Sequence, residues 1–433
     1  MTDKLILYKE HLNSFLRKIT KGFELIAPVR NTYGDTLFEV ISSVDDVSID
    51  LTNRPILSPK RFFMPQVETL FAYRYDKSGY TFKDAADSTP RVIFGLRSCD
   101  TRGILFYDLI FQEGLKDKYY LDRRKDTILI NLGCNQPGEN CFCKSAQGGP
   151  FLTYGYDIQL TDLGDRLFVE TGRPRGRELL ARWSYFFRPA TQMDTDEQYE
   201  VVLESEGKFR HRLDFDAAID KLINQEVAPA IWEEMGSRCQ NCGGCAYVCP
   251  TCYCFNIFDS PSSEKEGERL RTWDACTFAG FSRLAGGYNP RQDKTQRIKR
   301  RFYHKLFYDK QKYNIPSCVG CGRCADICFG RIDMLSFIRL ICEQENKVSE
   351  PAHRKLGELL IEAGLISQKD LDLAIEKQAT TGHATGRAIG RFAGAKKPLG
   401  TQLVEMGMVD KEAIARTLGY QLKIPGTAEN VED

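Results

Sequence analysis

Two short cysteine runs constrain this 433-residue chain more than any other feature. Residues 239–249 read CQNCGGCAYVC, and residues 318–328 read CVGCGRCADIC, with the same C-x2-C-x2-C-x3-C spacing. Three cysteines at every third position on a tight loop can wrap one small inorganic cluster, and the fourth thiolate then comes from elsewhere in the chain. The two runs therefore predict a region that binds metal clusters through thiolates.

The spacing also predicts how the thiolates are shared. In two-cluster ferredoxins, the last cysteine of each run binds the cluster of the other run. Phe329 stands where such a run usually has a proline, which removes a turn preference but no ligand. We therefore expect two [4Fe–4S] clusters. One is held by the first thiol set, Cys239, Cys242, Cys245 and Cys328, and the other by the second thiol set, Cys318, Cys321, Cys324 and Cys249.

Other metal chemistries fit these runs less well. Cys245, Cys249 and Cys252 have the CxxxCxxC spacing of radical SAM enzymes, but they overlap the first run, and a complete second run follows. A zinc site uses four thiolates for one ion, which two consecutive four-cysteine runs match poorly. The chain has no CxxCH, so the sequence gives no support for covalent haem.

A third group of cysteines lies in the first half of the chain. The stretches 91–96 and 126–131 predict short buried strands, and a cysteine follows each of them closely. Sites in open α/β sheets gather beyond the carboxyl ends of strands, and the loop 133–143 is rich in Gly, Asn and Pro. We predict a third cluster here; the alternative is a redox-silent loop with buried thiols. The third thiol set comprises Cys99, Cys134, Cys141 and Cys143.

The remaining cysteines have no ligand role in a plain two-cluster domain. We call Cys252, Cys254 and Cys276 the accessory thiols. They either hold a fourth cluster with a borrowed or non-cysteine ligand, or they are packing residues or a thiol pair. Cys342 ends the amphipathic stretch 332–342 and is predicted to belong to the core.

From the composition we expect a cytoplasmic protein. There are 16 Cys and only 5 His, and the net charge is +1, so no bulk charge argues for a nucleic-acid or membrane partner. The first residues do not form a secretory signal, and no apolar stretch approaches the ~18 residues of a spanning helix. Cytoplasmic thiols stay reduced, which favours metal ligands over disulfides.

Motifs around the cysteines match one protein family. They are GLRSCD at 95–100, CFC at 141–143, CPTCYCF at 249–255, WDAC at 273–276, FSRLAGGYNPR at 281–291, RFYHK at 301–305 and CVGCGRC at 318–324. On these motifs, residues 1–345 resemble the iron–sulfur beta subunit of cytoplasmic sulfhydrogenases and the A subunit of anaerobic sulfite reductase. Because every cysteine of the third thiol set except Cys134, and all the accessory thiols, fall in matched motifs, the resemblance favours extra clusters there.

The resemblance implies an electron relay without a catalytic site of its own. It implies a flavin subunit that uses NAD(P)H on one side and a catalytic subunit of hydrogenase, sulfite reductase or heterodisulfide reductase type on the other. The chain shows no GxGxxG after a strand, no P-loop and no GxSxG, so we expect no flavin or nicotinamide on this chain. The alternatives are a redox sensor gated by cluster oxidation and a stand-alone reductase, and the missing flavin and substrate sites disfavour the latter.

The basic segment 291–313 contains nine Lys or Arg and two Asp. Interleaved aromatics make a nucleic-acid face an alternative, but we expect these cations to offset the charge of thiolate-bound clusters or to dock an acidic partner.

A helical repeat follows a polar linker at 343–355. Residues 356–378 (LGELLIEAGLISQKDLDLAIEKQ) and 399–421 (LGTQLVEMGMVDKEAIARTLGYQ) share Leu, Gly and Gln positions 43 residues apart. The repeat resembles the N-terminal domain of type II secretion and type IV pilus ATPases, some of which bind cyclic di-GMP. The insertion 379–398 and Lys355 in place of the usual Arg depart from that family, so we expect a docking module, with nucleotide binding as the alternative.

The predicted architecture is therefore an α+β multidomain protein. It comprises a mixed α/β domain at 1–232, a ferredoxin-like two-cluster domain at 233–348 and a small all-α domain at 352–425.

Overall fold

The chain divides into two compact units, residues 1–345 and residues 346–433. The computed structural model describes residues 4–85, 89–343, 357, 360–361, 363–381, 399–410 and 413.

A mixed eight-stranded sheet organises the first unit. In spatial order its strands are Phe187–Pro189, Lys4–Tyr8, Arg166–Thr171, Ile158–Asp162, Thr127–Leu132, Arg91–Leu96, Glu24–Arg30 and Thr36–Ile41. The four strands from Ile158–Asp162 to Glu24–Arg30 run parallel, and the outer strands are antiparallel. The central strands Arg91–Leu96 and Thr127–Leu132 are buried along their whole length, as predicted, and the second begins one residue later than expected.

Helices cover both faces of this sheet because the buried side chains of each strand alternate between them. Lys9–Ile19 and Pro174–Ala181 pack on one face with Val92 and Phe94. Ser98–Gln112 and Lys118–Lys125 pack on the other face with Ile93 and Leu129. Ser98–Gln112 begins directly after a parallel strand, so its first turn lies at the carboxyl edge of the sheet.

A separate antiparallel sheet joins distant parts of the sequence. In spatial order its strands are Phe255–Pro261, Glu266–Trp273, Val67–Asp76 and Gly79–Asp84. Strands from the two predicted domains 1–232 and 233–348 therefore hydrogen-bond to each other. The predicted boundary after Trp232 falls inside the helix Pro229–Arg238. The contacts group residues 1–345 as one unit, and its finer division into domains stays a prediction.

An aromatic core holds the helices that surround the cysteine runs. Trp232 contacts Phe337 with ring centroids 5.1 Å apart, and Phe302 contacts Phe337 at 4.2 Å. The helices of this region are Phe215–Ile223, Pro229–Arg238, Gly244–Tyr247, Lys294–Tyr303 with its continuation His304–Tyr308, Asp309–Tyr313, Arg323–Asp326 and Met334–Glu343. The helix Gln192–Gly207 packs on the large sheet instead, with Val201 against Ile6 and Phe168. Cys342 is only partly buried, but it packs against this core as predicted.

The second unit shows the predicted repeat in its hydrogen bonds. Its described helices are Gln368–Thr381 and Leu399–Glu405. Gly364 and Gly407 both have φ near +67°, and each closes the same C-terminal helix turn. The N–H of Leu365 donates to the carbonyl of Leu360 at 2.9 Å. The same hydrogen bond recurs 43 positions later, where the N–H of Met408 donates to the carbonyl of Leu403 at 3.1 Å. Lys355 and most of the insertion 379–398 lie outside the described residues.

Among the helices of the described ranges, none has the length and apolar character needed to cross a membrane.

Candidate functional site

The four cysteines of the second thiol set line one cavity. Both runs contribute, because Cys249 comes from the first run and the other three come from the second. Arg301 and Lys305 line the same cavity. The structure therefore brings together the four residues that the spacing predicts around one cluster.

The first thiol set is also close enough for its members to act on one another. Burial raises the pKa of the Cys245 thiol, Arg301 lowers it, and Cys328, Cys239 and Cys242 each raise it. Backbone N–H groups point at sulfur in this set: the N–H of Asn241 lies 3.4 Å from Cys239 Sγ, and that of Ile332 lies 3.2 Å from Cys328 Sγ. Such contacts favour a thiolate or a cluster-bound sulfur.

The first thiol set is the most exposed of the three. Cys242 is the one exposed residue among the chain's 16 cysteines, all of which the structure describes. Phe329, directly after Cys328, is 99% exposed. A group held by this set therefore lies nearest to solvent.

The third thiol set lines a second cavity at the carboxyl edge of the large sheet. Cys99 lies in the first turn of Ser98–Gln112, and Cys134 follows the strand Thr127–Leu132, so two neighbouring parallel strands deliver them to one place. Cys141 and Cys143 come from the loop that closes the cavity.

The second and third thiol sets are direct neighbours. Cys321 of the second set also borders the cavity of the third set. The loops that carry the two sets pack backbone to backbone: the N–H of Phe142 donates to the carbonyl of Gly320 at 2.9 Å. A Cβ on Gly320 would lie 2.5 Å from Cys143 Cα, so a larger residue would push the loops apart.

The accessory thiols form pairs. A hydrogen bond from the neighbouring thiol links Cys254 to Cys276 and lowers the pKa of Cys254 to about 6. A similar contact joins Cys252 to Cys249 of the second set; it lowers the pKa of Cys249 and raises that of Cys252. Pairing fits the thiol-pair interpretation, and a fourth cluster at these cysteines stays a prediction.

The spacing of the thiols fits a cluster better than a single ion. Zinc holds sulfur at ~2.3 Å, so its ligands must converge on one point. In the part of the chain that the structure describes, no three or more His, Cys, Asp or Glu side chains are placed to hold one metal ion. Instead, four thiols surround each of two cavities.

Buried cations beside the thiols provide an independent test of whether the cavities fit a thiolate-ligated cluster. Arg301 is 3% exposed, and its Nε and Nη1 atoms have no hydrogen-bond partner. Arg54 lines the cavity of the third set and is paired with Asp326, but its Nε and Nη1 atoms also have no hydrogen-bond partner. A buried cation without an anionic partner costs several kcal/mol, and unsatisfied buried donors are costly as well. Both cavities therefore fit an anionic group, as a thiolate-ligated cluster is.

A buried ion pair joins the second and third sets. The guanidinium of Arg323 binds the carboxylate of Asp100 at 2.7 and 3.2 Å, with side-chain exposures of 1% and 0%. Arg323 Nη1 also lies 3.9 Å from Cys99 Sγ. Sequence reasoning missed both residues as site components, although each lies inside a motif of the resemblance.

Sequence reasoning also missed Arg54 and Lys60, which carry no local signal. Lys60 donates from Nζ to the carbonyls of Ala246 and Cys252 at 2.8 and 3.1 Å. Only folding brings either residue to the cysteines.

One side of the basic segment 291–313 points inward. Arg297, Arg301 and Lys305 recur every four residues and are each at most 4% exposed. The structure therefore uses these cations inside the protein, as the charge-offset interpretation expects. The nucleic-acid alternative loses three of the nine positive charges on which it depends.

Cavities lined by four thiols, with buried cations beside them, define an iron–sulfur protein. Residues 238–332 match the family described as a 4Fe-4S dicluster domain. The chain is also 32% identical over 330 residues to "Sulfhydrogenase 2 subunit beta" of Pyrococcus furiosus, an alignment that covers 76% of this chain and 95% of that protein. The chain therefore belongs to the family of iron–sulfur beta subunits of sulfhydrogenases.

Membership confirms the resemblance drawn from the motifs. The protein is a [4Fe–4S] electron-transfer subunit of an oxidoreductase, with a mixed α/β fold and a helical C-terminal region. The redox-sensor alternative is not favoured.

Proposed function

We propose that the chain relays electrons through three [4Fe–4S] clusters, held by the first, second and third thiol sets. One observation carries the proposal: two adjoining cavities are each lined by four cysteines, and Cys321 borders both. The third set thereby becomes part of the same relay as the two-cluster region.

The neighbour relations support a linear order of clusters. Arg301 acts on Cys245 of the first set and on Cys324 of the second, so these sets adjoin. The second set adjoins the third through Cys321. Because Cys242 is exposed, the first set forms the end of the relay that exchanges electrons with a partner at the surface. Electrons hop between clusters without any bond being made or broken.

The partners in this proposal are two other subunits. One carries flavin and uses NAD(P)H, and the other carries the catalytic centre of the hydrogenase, sulfite reductase or heterodisulfide reductase type. The matched relative is itself named as a subunit, which supports an assembly of several chains. We assign no flavin or nicotinamide to this chain, because its sequence has no dinucleotide fingerprint.

The number of clusters tests the proposal directly. Iron and acid-labile sulfide are measured per chain after anaerobic reconstitution, with EPR of the reduced protein. Three clusters give about twelve irons, and a Cys134→Ser variant that loses the third cluster gives about eight. Cys342→Ser is the matched control, since Cys342 lies in none of the three sets and its thiol contacts the carbonyl of Asp214.

Three results would contradict the proposal. About eight irons in the wild type, unchanged by Cys134→Ser, would remove the third cluster. About sixteen irons in the wild type, with a lower iron content in Cys254→Ser, would establish a fourth cluster at the accessory thiols. Zinc in place of iron would end the electron-transfer assignment of these sites.

For the C-terminal repeat we propose a docking role within the assembly. Nucleotide binding is the alternative. Titration calorimetry of the full chain with cyclic di-GMP separates them: docking predicts no binding heat, whereas saturable heat would establish the nucleotide site.

A further inference from the structure

Arg301 is a buried cation without a counter-charge of its own. It lies on the helix Lys294–Tyr303 and reaches into the cavity of the second thiol set. Its guanidinium Nε and Nη1 have no hydrogen-bond partner, and no carboxylate pairs with it among the described residues. A side chain that is 3% exposed and aimed into a thiol-lined cavity points to an anion in that cavity.

The charge of Arg301 acts on thiols of two different sets. Burial raises the pKa of Cys245, in the first set, and of Cys324, in the second set. For both thiols, Arg301 exerts the largest opposing effect and lowers the pKa. The cavity that Arg301 enters is lined by Cys249 and Cys324, which lie four residues from Cys245 and Cys328 of the first set. One positive charge therefore lies beside the ligand positions of two adjoining clusters.

Two other buried arginines near the thiols are paired with carboxylates. Arg323 is paired with Asp100 at 2.7 Å, and Arg54 is paired with Asp326. Arg97, in the cavity of the third set, has no carboxylate partner among the described residues, but unlike Arg301 its guanidinium donates to three backbone carbonyls.

We propose that Arg301 is an electrostatic bridge that raises the reduction potentials of the first and second clusters together. The inference rests on the proposed cluster assignment. A positive charge stabilises the reduced, more negative state of each cluster it faces. In the step between them, one electron leaves the reduced cluster of the first set and reduces the cluster of the second set. No proton or bond changes, and the charge of Arg301 is shared by donor and acceptor.

The test is a potentiometric EPR titration of the full-length, reconstituted protein. In Arg301→Gln, the midpoint potentials of two clusters should fall, and that of the third should stay at its wild-type value. Arg301→Lys keeps the charge and should retain most of the wild-type potential in both clusters.

Arg297→Gln is the matched control. Arg297 lies one turn earlier on the same helix and is 4% exposed, but its guanidinium donates to the carbonyls of Thr277, Arg291 and Gln292. Its replacement should lower thermal stability and leave all the midpoint potentials unchanged.

Several outcomes would overturn the bridge. Equal shifts of all clusters in Arg301→Gln, a shift of only one, or the same shifts in Arg297→Gln would each do so. If Arg301→Gln fails to load clusters, Arg301→Lys decides: potentials near the wild type support the bridge, and a fall in one cluster alone contradicts it. A wild type without three clusters would refute the proposed function, which iron analysis shows before any titration.

Discussion

At the scale of single residues, Asp100 and Arg323 show how a counter-charge stabilises a buried charge between two thiol sets. Each side chain is at most 1% exposed, and they meet in a two-pronged ion pair. Arg323 also donates from Nε to the carbonyl of Pro55 at 3.0 Å. Removing one member of such a pair leaves the other as an uncompensated charge, whereas removing both does not.

We expect Asp100→Asn to destabilise the protein by about 3–5 kcal/mol, because Arg323 then stays buried without its counter-charge. The double variant Asp100→Asn/Arg323→Gln should be less destabilised than the sum of the two single variants. Denaturant unfolding of the four proteins measures this cycle. Strict additivity would show that the two side chains stabilise the fold independently.

At the scale of one element, the helix Gln192–Gly207 depends on a charged cap. Thr191 and Asp194 form a capping box, and Asp194 also binds Arg188 at 2.7 Å and Arg166 at 2.9 Å. The hydrogen bond from Arg188 is the largest effect on the pKa of Asp194, which lies well below its ordinary value despite burial. The contribution of Asp194 to stability is therefore complete above about pH 4 and is lost only as the pH falls further.

Asp194→Asn should lower the melting temperature, and by the same amount at pH 6 and at pH 8, since Asp194 is ionised at both. The loss in the free energy of unfolding should exceed the ~1 kcal/mol typical of a simple N-cap residue, because two arginines also lose their charged partner. Glu200→Gln on the same helix is the control: it removes the same charge at an exposed position and should change little. A difference that shrinks between pH 8 and pH 6 would contradict the low pKa.

At the scale of the whole molecule, the sequence predicted best what is local. The ligand spacing lies within eleven residues of each run, and the strand at 91–96 is a short apolar stretch, so both could be read directly. The pairing of Glu266–Trp273 with Val67–Asp76 could not be predicted, because the register between two strands that lie far apart in the sequence leaves no local pattern. Arg54 and Lys60 were missed for the same reason: a lone cation carries no sign of the thiols it will meet.

The order of the three thiol sets predicts how electrons enter the isolated, reconstituted chain. The first set is exposed at Cys242, whereas the second and third are buried around Cys321. A small reductant such as dithionite should therefore reduce the first cluster fastest, and the third should be reduced through the second. Cys318→Ser, which removes a proposed ligand of the second cluster, should slow reduction of the third cluster and leave that of the first unchanged.

Rapid-freeze EPR after mixing with dithionite follows the clusters separately, and Cys342→Ser again serves as the control. Reduction of the third cluster at the wild-type rate in Cys318→Ser would mean that electrons reach it without crossing the second. In that case the two cavities would be neighbours at Cys321 without passing electrons to each other, and electrons would reach the first and third clusters by separate routes from the protein surface.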